Sequence, residues 1–190
     1  MKFRYLYVKM FFAFMLCISC IGKGQQQGIF LNWQDYRDHK IIPVEKIKLN
    51  HLLSGACFDA IQNRKAIRYC KDSIFGYSDE TGKSYRFYKQ YDDEYQIAEN
   101  HYIVIYIIYK PTYTSKGLSE PLVPVYFFSK NLNSEIMRLT VPNLINAFPE
   151  NHKFHHELED EFKNNVPISL YDEQHNMFLV NYILSQSLLN

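Results

Sequence analysis

Residues 57–70 read Cys57-Phe58-Asp59-Ala60-Ile61-Gln62-Asn63-Arg64-Lys65-Ala66-Ile67-Arg68-Tyr69-Cys70, and they decide the fold class. Aromatic and β-branched residues flank a polar stretch at 62–65, which is the pattern of a β-hairpin. With Asn63-Arg64 as the two central turn residues, Phe58 faces Tyr69, Ala60 faces Ile67, Asp59 faces Arg68 and Cys57 faces Cys70. One face is then apolar, while the other carries an ion pair and a cysteine pair. A slip of one residue would destroy all four matches together. Counted outward from a two-residue loop, the cysteines meet at a non-hydrogen-bonded site, where Cα atoms lie about 4.5 Å apart, within reach of a disulfide. A Cys57–Cys70 bridge is therefore predicted. The alternative is a pair of buried free thiols.

Working outward, the same logic predicts two further hairpins. With Thr81-Gly82 central, Phe75 faces Tyr88, Tyr77 faces Arg86, and Gly76 is covered by Phe87. A following turn at Asp92-Asp93 sets Arg86 across from Glu99 and Tyr88 across from Ile97. Strands at 94–99 and 102–109 flank Asn100-His101, and another is expected at 123–129 after the loop 111–124. The pattern then turns helical. Thr140-Val141-Pro142-Asn143 suits a helix start, with Leu144, Ile145 and Phe148 as its apolar face and Pro149 as its stop. Asn151 can cap a helix over 153–162, and Asp172 a last one holding Met177, Phe178, Val180, Tyr182, Ile183 and Leu184. N-terminal to the meander lie a strand-like stretch at 29–31, a short turn at 33–37 and a candidate strand at 44–49. The class is α+β: an antiparallel β-meander of about six to seven strands followed by two to three C-terminal helices packed on it.

The N-terminus gives an address. Lys2, Arg4 and Lys9 precede the apolar run 10–20, a secretory signal pattern too short to span a bilayer with ease. Its end, Leu16-Cys17-Ile18-Ser19-Cys20, resembles a bacterial lipobox, with Cys17 where Leu is usual. That resemblance implies a signal peptide over 1–19, cleavage before Cys20, acylation of Cys20 by chains such as palmitate, and a flexible tether over 20–27. Residues 28–190 are then a single domain. The alternative is an uncut membrane anchor, which the polar residues Lys23, Gln25, Gln26 and Gln27 disfavour. No acidic cluster follows Cys20, so the expected location is the periplasmic side of the outer membrane. The implied compartment is oxidising, in keeping with the disulfide.

About 170 residues follow the leader, enough for one domain with its own core. With 21 basic and 20 acidic residues the chain shows no basic patch, so nucleic-acid binding is not expected. Sixteen Tyr and fourteen Phe against one Trp and seven Gly lean towards β structure.

His152, His155, His156, Glu157, Glu159 and Asp160 crowd one short segment. On a helix, His152, His156 and Asp160 share a face at i, i+4 and i+8, a set suited to zinc. No His-Glu-x-x-His pattern or separate third ligand accompanies them. A solvated helix face explains them better, and no cofactor is expected. The chain has no Gly-x-Ser-x-Gly, phosphate-loop or dinucleotide motif. Asp172 and His175 suit an acid/base pair, or equally a helix N-cap with a histidine in the first turn. No catalytic residue is assigned. Tyr85, Tyr88, Tyr91, Tyr95, Tyr102, Tyr106 and Tyr109 fall on neighbouring strands. Of these, Tyr85, Tyr88, Tyr95 and Tyr106 are candidates for stacking on a sugar or contacting a protein. The alternative is that they cover a half-buried sheet.

Segments 28–31, 71–77, 85–87 and 147–155, with Tyr171-Asp172, together resemble an uncharacterised family of small lipoproteins from Gram-negative gut anaerobes. The resemblance implies export and one domain, and it supplies no activity. The leading expectation is a lipid-anchored envelope protein that binds or scaffolds a protein or glycan without catalysis. The alternatives are a periplasmic hydrolase using His152, His155 or His156, and a periplasmic inhibitor or immunity protein.

Overall fold

A computed structural model describes residues 26–49, 55–88, 94–111 and 122–189. The leader, Cys20, most of the tether, Tyr91 and the expected turn at Asp92-Asp93 lie outside the described residues. The class is α+β, as the sequence predicts. The main sheet contains β1 (Gly28–Phe30), β2 (Ile42–Pro43), β6 (Gly76–Ser78), β7 (Ser84–Phe87), β8 (Glu94–Asn100), β9 (Val104–Lys110), β10 (Val123–Ser129) and β11 (Met137–Arg138). It has eight strands, more than expected, in the order β11-β10-β9-β8-β7-β6-β1-β2. The extra members are short: β11, and the N-terminal pair β1 and β2, which joins beyond β6. The strand expected at 44–49 is β3 (Lys46–Lys48), which serves another sheet, while Ile42–Pro43 just before it joins the main one.

That other sheet is β3, β4 (Cys57–Gln62) and β5 (Lys65–Cys70). The first hairpin therefore lies outside the main meander. Within it, the register is the one predicted, from Cys57 opposite Cys70 to Gln62 opposite Lys65. Asn63 and Arg64 have φ of 49° and 62°, as a two-residue type I′ turn requires. The Cys57–Cys70 disulfide is present, with its Cα atoms 3.9 Å apart. Phe58 and Ala60 point inward onto Ile29, Tyr77 and Phe87, so the small sheet covers one end of the main one.

The second hairpin departs from expectation by one residue. Tyr77 pairs with Tyr85 and Gly76 with Arg86. The loop has three residues rather than two, because Gly82 takes φ 80° and the Asp79 carboxylate accepts from Thr81 N, Thr81 Oγ1 and Lys83 N. A one-residue change puts every side chain of β7 on the other face. Tyr77 consequently stacks on Tyr85 at 4.8 Å, and Arg86 turns to the opposite side with Gly76. No side chain fits at Gly76: a Cβ there would lie 1.8 Å from the Tyr85 carbonyl oxygen. In the third hairpin Arg86 pairs with Tyr95 and Tyr85 with Gln96, not with Glu99 and the residues beyond it. The longer connection from Phe87 to Glu94 moves the register by an even number, so the faces are kept.

Four helices accompany the sheets among the described residues: α1 (Trp33–Arg37), α2 (Val141–Ala147), α3 (His152–Glu161) and α4 (Leu179–Leu188). Thr140 caps α2 through Asn143 N, at the helix start read from the sequence, and Asn151 caps α3 through Phe154 N as predicted. Asp172 does not cap the last helix. It lies in a short β pair, β12 (Tyr171–Asp172) with β13 (Met177–Phe178), and α4 begins at Leu179 with no side-chain cap of its own. None of these helices is long and apolar enough to cross a membrane.

The two faces of the main sheet are covered differently. Ile105 and Phe128 pack against Leu144, Phe154, Leu158, Val180 and Leu184 of α2, α3 and α4. The opposite face carries Phe30, Tyr95, Val104, Tyr106 and Ile108, beneath Trp33 and Tyr36 of α1 and beneath Leu132 and Ile136 of the β10–β11 loop. This second cover is thin. A β-bulge at Ala98 changes the pairing between Ile97 and Glu99, so Glu99 pairs with Ile105 on the helix side.

Candidate ligand-binding cleft

Two of the four tyrosines expected to meet a partner do not reach solvent. Tyr95 and Tyr106 are 0% exposed. They interlock edge-on at 6.0 Å, and Tyr95 meets Phe127 in the same way at 5.3 Å. Their strands present them to the thinly covered face, where the cap of α1 and the β10–β11 loop buries them. Tyr85 and Tyr88 are half-buried: burial, and then the Asp79 carboxylate to which it donates at 3.1 Å, push the Tyr85 phenol up to about 12, and Tyr88 packs edge-on against Tyr95. No continuous aromatic surface joins the four.

The histidine helix also diverges from a catalytic or metal-binding arrangement. His156 and its neighbour Asp160 are largely exposed, at 79% and 58% of their side chains, and meet at only 3.5 Å. Asp160 is held below the usual carboxylate range first by its bond to Lys163. His155 Nε2 lies 2.8 Å from the Phe148 carbonyl, and His152 meets His155 edge-on. Among the described residues no three metal-ligating side chains converge. A groove of about 450 Å³ does run between α3 and α4, but Lys153, Glu157, Asp160 and Glu161 line it and none of the three histidines does.

Asp172 and His175 do meet, at 2.6 Å, in the β12–β13 loop. Asp172 Oδ1 also accepts from the backbone of Gln174 and His175. The bond from His175 is the largest influence lowering the Asp172 carboxyl. The His175 ring stacks on Tyr182 of α4 at 3.8 Å, which fastens the loop to the helix. No Ser, Thr or Cys among the described residues bonds to this pair.

A larger cleft, about 510 Å³, opens on the thinly covered face. Three elements converge on it: α1, the turn after β8, and the start of the β10–β11 loop. Val104 and Leu132 form its apolar floor, and Trp33 one wall. Asn100, Asn131 and Asn133 supply amides, while Arg37 and Lys130 supply charge. Tyr102, 49% exposed, stands at the rim. Among the described residues no carboxylate lines it. Arg37 lies over the Trp33 ring at 5.2 Å and gives only its Nε to Asp38, at 2.9 Å. Lys130 lies over the Phe148 ring at 5.2 Å.

The wall formed by residues 130–134 is fixed from beneath by a buried polar chain. Arg86, 6% exposed, donates to Tyr106 Oη at 2.9 Å and to the Ser134 carbonyl at 2.8 Å. Tyr106 Oη lies 2.9 Å from Ser129 Oγ, and Ser129 donates to the Asn131 carbonyl at 2.7 Å. Since the Ser129 proton is committed to that carbonyl, Tyr106 must donate to Ser129. The protons thus run in one direction, from the guanidinium through two hydroxyls to the loop. Burial raises the Tyr106 phenol while Arg86 acts the other way. On the loop itself, Asn131 Oδ1 accepts from Asn133 N and Ser134 Oγ.

The chain matches no family model, no curated protein and no solved structure. Its cleft must be interpreted from geometry. Of its polar lining, sequence reasoning noted only Tyr102, among the tyrosines of neighbouring strands, and none of the amides or cations. The usable signals were the lone tryptophan and the amide-rich run Lys130-Asn131-Leu132-Asn133-Ser134 between a strand and a helix.

Proposed function

We propose that this is an exported envelope protein, acylated at Cys20, that binds a glycan non-catalytically in the cleft beside Trp33. The single observation that carries the reading is the composition of that cleft: an indole wall, an apolar floor and three side-chain amides. Sugars present apolar C–H faces to aromatic rings and hydroxyls to amides, which both donate and accept. A pre-formed, firmly anchored wall favours binding, because little ordering is left to be done when the ligand arrives. The leader sequence supports the envelope location, and the Cys57–Cys70 disulfide accords with an oxidising compartment.

The mature protein is expected to bind envelope-derived oligosaccharides, and Trp33→Ala to bind about tenfold more weakly, or about 1.4 kcal/mol. Undiminished binding by Trp33→Ala would remove the cleft from the account. For the anchor, Cys20→Ser is expected to leave an unprocessed, unacylated precursor. If that variant showed the same mature mass and membrane retention as the natural protein, acylation at Cys20 would be refuted.

A further inference from the structure

We infer that the glycan bound in the cleft is acidic, a sugar bearing a carboxylate or phosphate that Arg37 and Lys130 contact together. This rests on the reading of the cleft as a glycan site and adds its charge class. The chain as a whole is nearly neutral, at +1, so two cations with no anion beside them among the described lining residues mark a local feature. Each is incompletely satisfied among the described residues. Asp38 takes only the Nε of Arg37, whose side chain is 56% exposed, and the terminal nitrogens of a guanidinium are the atoms that hold a carboxylate or phosphate in a two-pronged grip. Lys130 is seated against an aromatic ring and has no carboxylate partner there.

A third positive charge stands behind the wall. Arg86 contacts a phenol, a carbonyl and the rings of Phe75, Tyr88 and Tyr106, at 5.7, 5.4 and 5.8 Å. No carboxylate among the described residues pairs with it. The field of a buried charge is little screened on the protein side. Arg86 therefore adds to the positive potential at the loop it holds. The amides of Asn100, Asn131 and Asn133 suit hydroxyls around a charged group, so the site fits an acidic sugar better than a simple anion.

Calorimetric titration of the mature protein with three oligosaccharides of one backbone (neutral, carboxylated and phosphorylated) tests this. An acidic form is expected to bind at least about tenfold more tightly than the neutral one and to weaken as salt is raised. Arg37→Gln and Lys130→Gln should each cost about five- to tenfold towards the acidic sugar, a larger loss than either causes towards the neutral one. Lys46→Gln, in the small sheet, is the distant control. Which acidic arm binds identifies the anion. Equal binding of neutral and acidic forms overturns the charge assignment alone, and so does an equal loss in the Lys46 variant. Binding by none of the three overturns this inference together with the glycan reading.

Discussion

Arg86→Ala is expected to lower the unfolding free energy by about 3 kcal/mol, with a fall in Tm of roughly 6–12 °C. Two effects combine. Truncation leaves a void among Phe75, Tyr88 and Tyr106, and it strips the Ser134 carbonyl and Tyr106 hydroxyl of their donor. Arg86→Met fills much of the void without restoring either hydrogen bond, so it should recover roughly half the loss. Urea unfolding of the three proteins checks the order. Ligand binding provides a second readout: both variants should bind more weakly, because the Lys130–Ser134 wall loses its support. A fully stable Arg86→Ala with unchanged binding would show that the buried chain is not what holds the cleft.

Glu99→Ala is expected to cost about 3 kcal/mol, and for a different reason. Its carboxylate, buried on the helix face, accepts from Phe178 N at 2.8 Å and from the Asn181 amide. It thereby caps the start of α4, which has no side-chain cap of its own, and sets a negative charge at the positive end of that helix. Asn181 also exchanges bonds with both the N–H and the carbonyl of Ile103, tying the β8–β9 turn to α4. Removing Glu99 leaves buried donors unsatisfied. Glu99→Gln keeps an acceptor but turns an amide towards donors, so a loss of about 1–2 kcal/mol is expected. Amide hydrogen exchange should show the first turn of α4 opening in Glu99→Ala while β4 and β5 stay protected. Uniform loss of protection across the molecule would argue against a local cap.

The difference between what was legible in the sequence and what was not follows from range. The Asn63-Arg64 turn admits one register, and four side-chain pairs report on it at once, so the first hairpin and its disulfide could be read residue by residue. The caps at Thr140 and Asn151 are equally local. In the second hairpin Gly82 supports either a two- or a three-residue loop. The choice falls to the Asp79 carboxylate, whose bonding no alternation pattern reveals. The bulge at Ala98 is similarly silent, although it alone delivers Glu99 to the helix face. Asp172 resembled a cap because a polar residue precedes an apolar run; the intervening β12–β13 turn is fixed by its pairing with His175.

The site was less legible than the fold. Abundant tyrosine suggested a surface, yet Tyr95 and Tyr106 lie at positions that alternation sends into the core, and Arg86 is buried with them. The cleft draws on three segments far apart in the chain, and each looks ordinary alone. Only their convergence puts one indole, three amides and two cations around a shared space.

Because Trp33 is the sole tryptophan, its indole N–H gives a single resolved signal at the proposed site. Titrating the mature, isotope-labelled protein with an acidic envelope oligosaccharide tests the cleft most directly. The expected result is saturable movement of that indole signal together with the amides of Asn131 and Asn133, while β4 and β5 remain still. Saturable movement confined to the α3–α4 groove or the small sheet, with the Trp33 signal fixed, would contradict it.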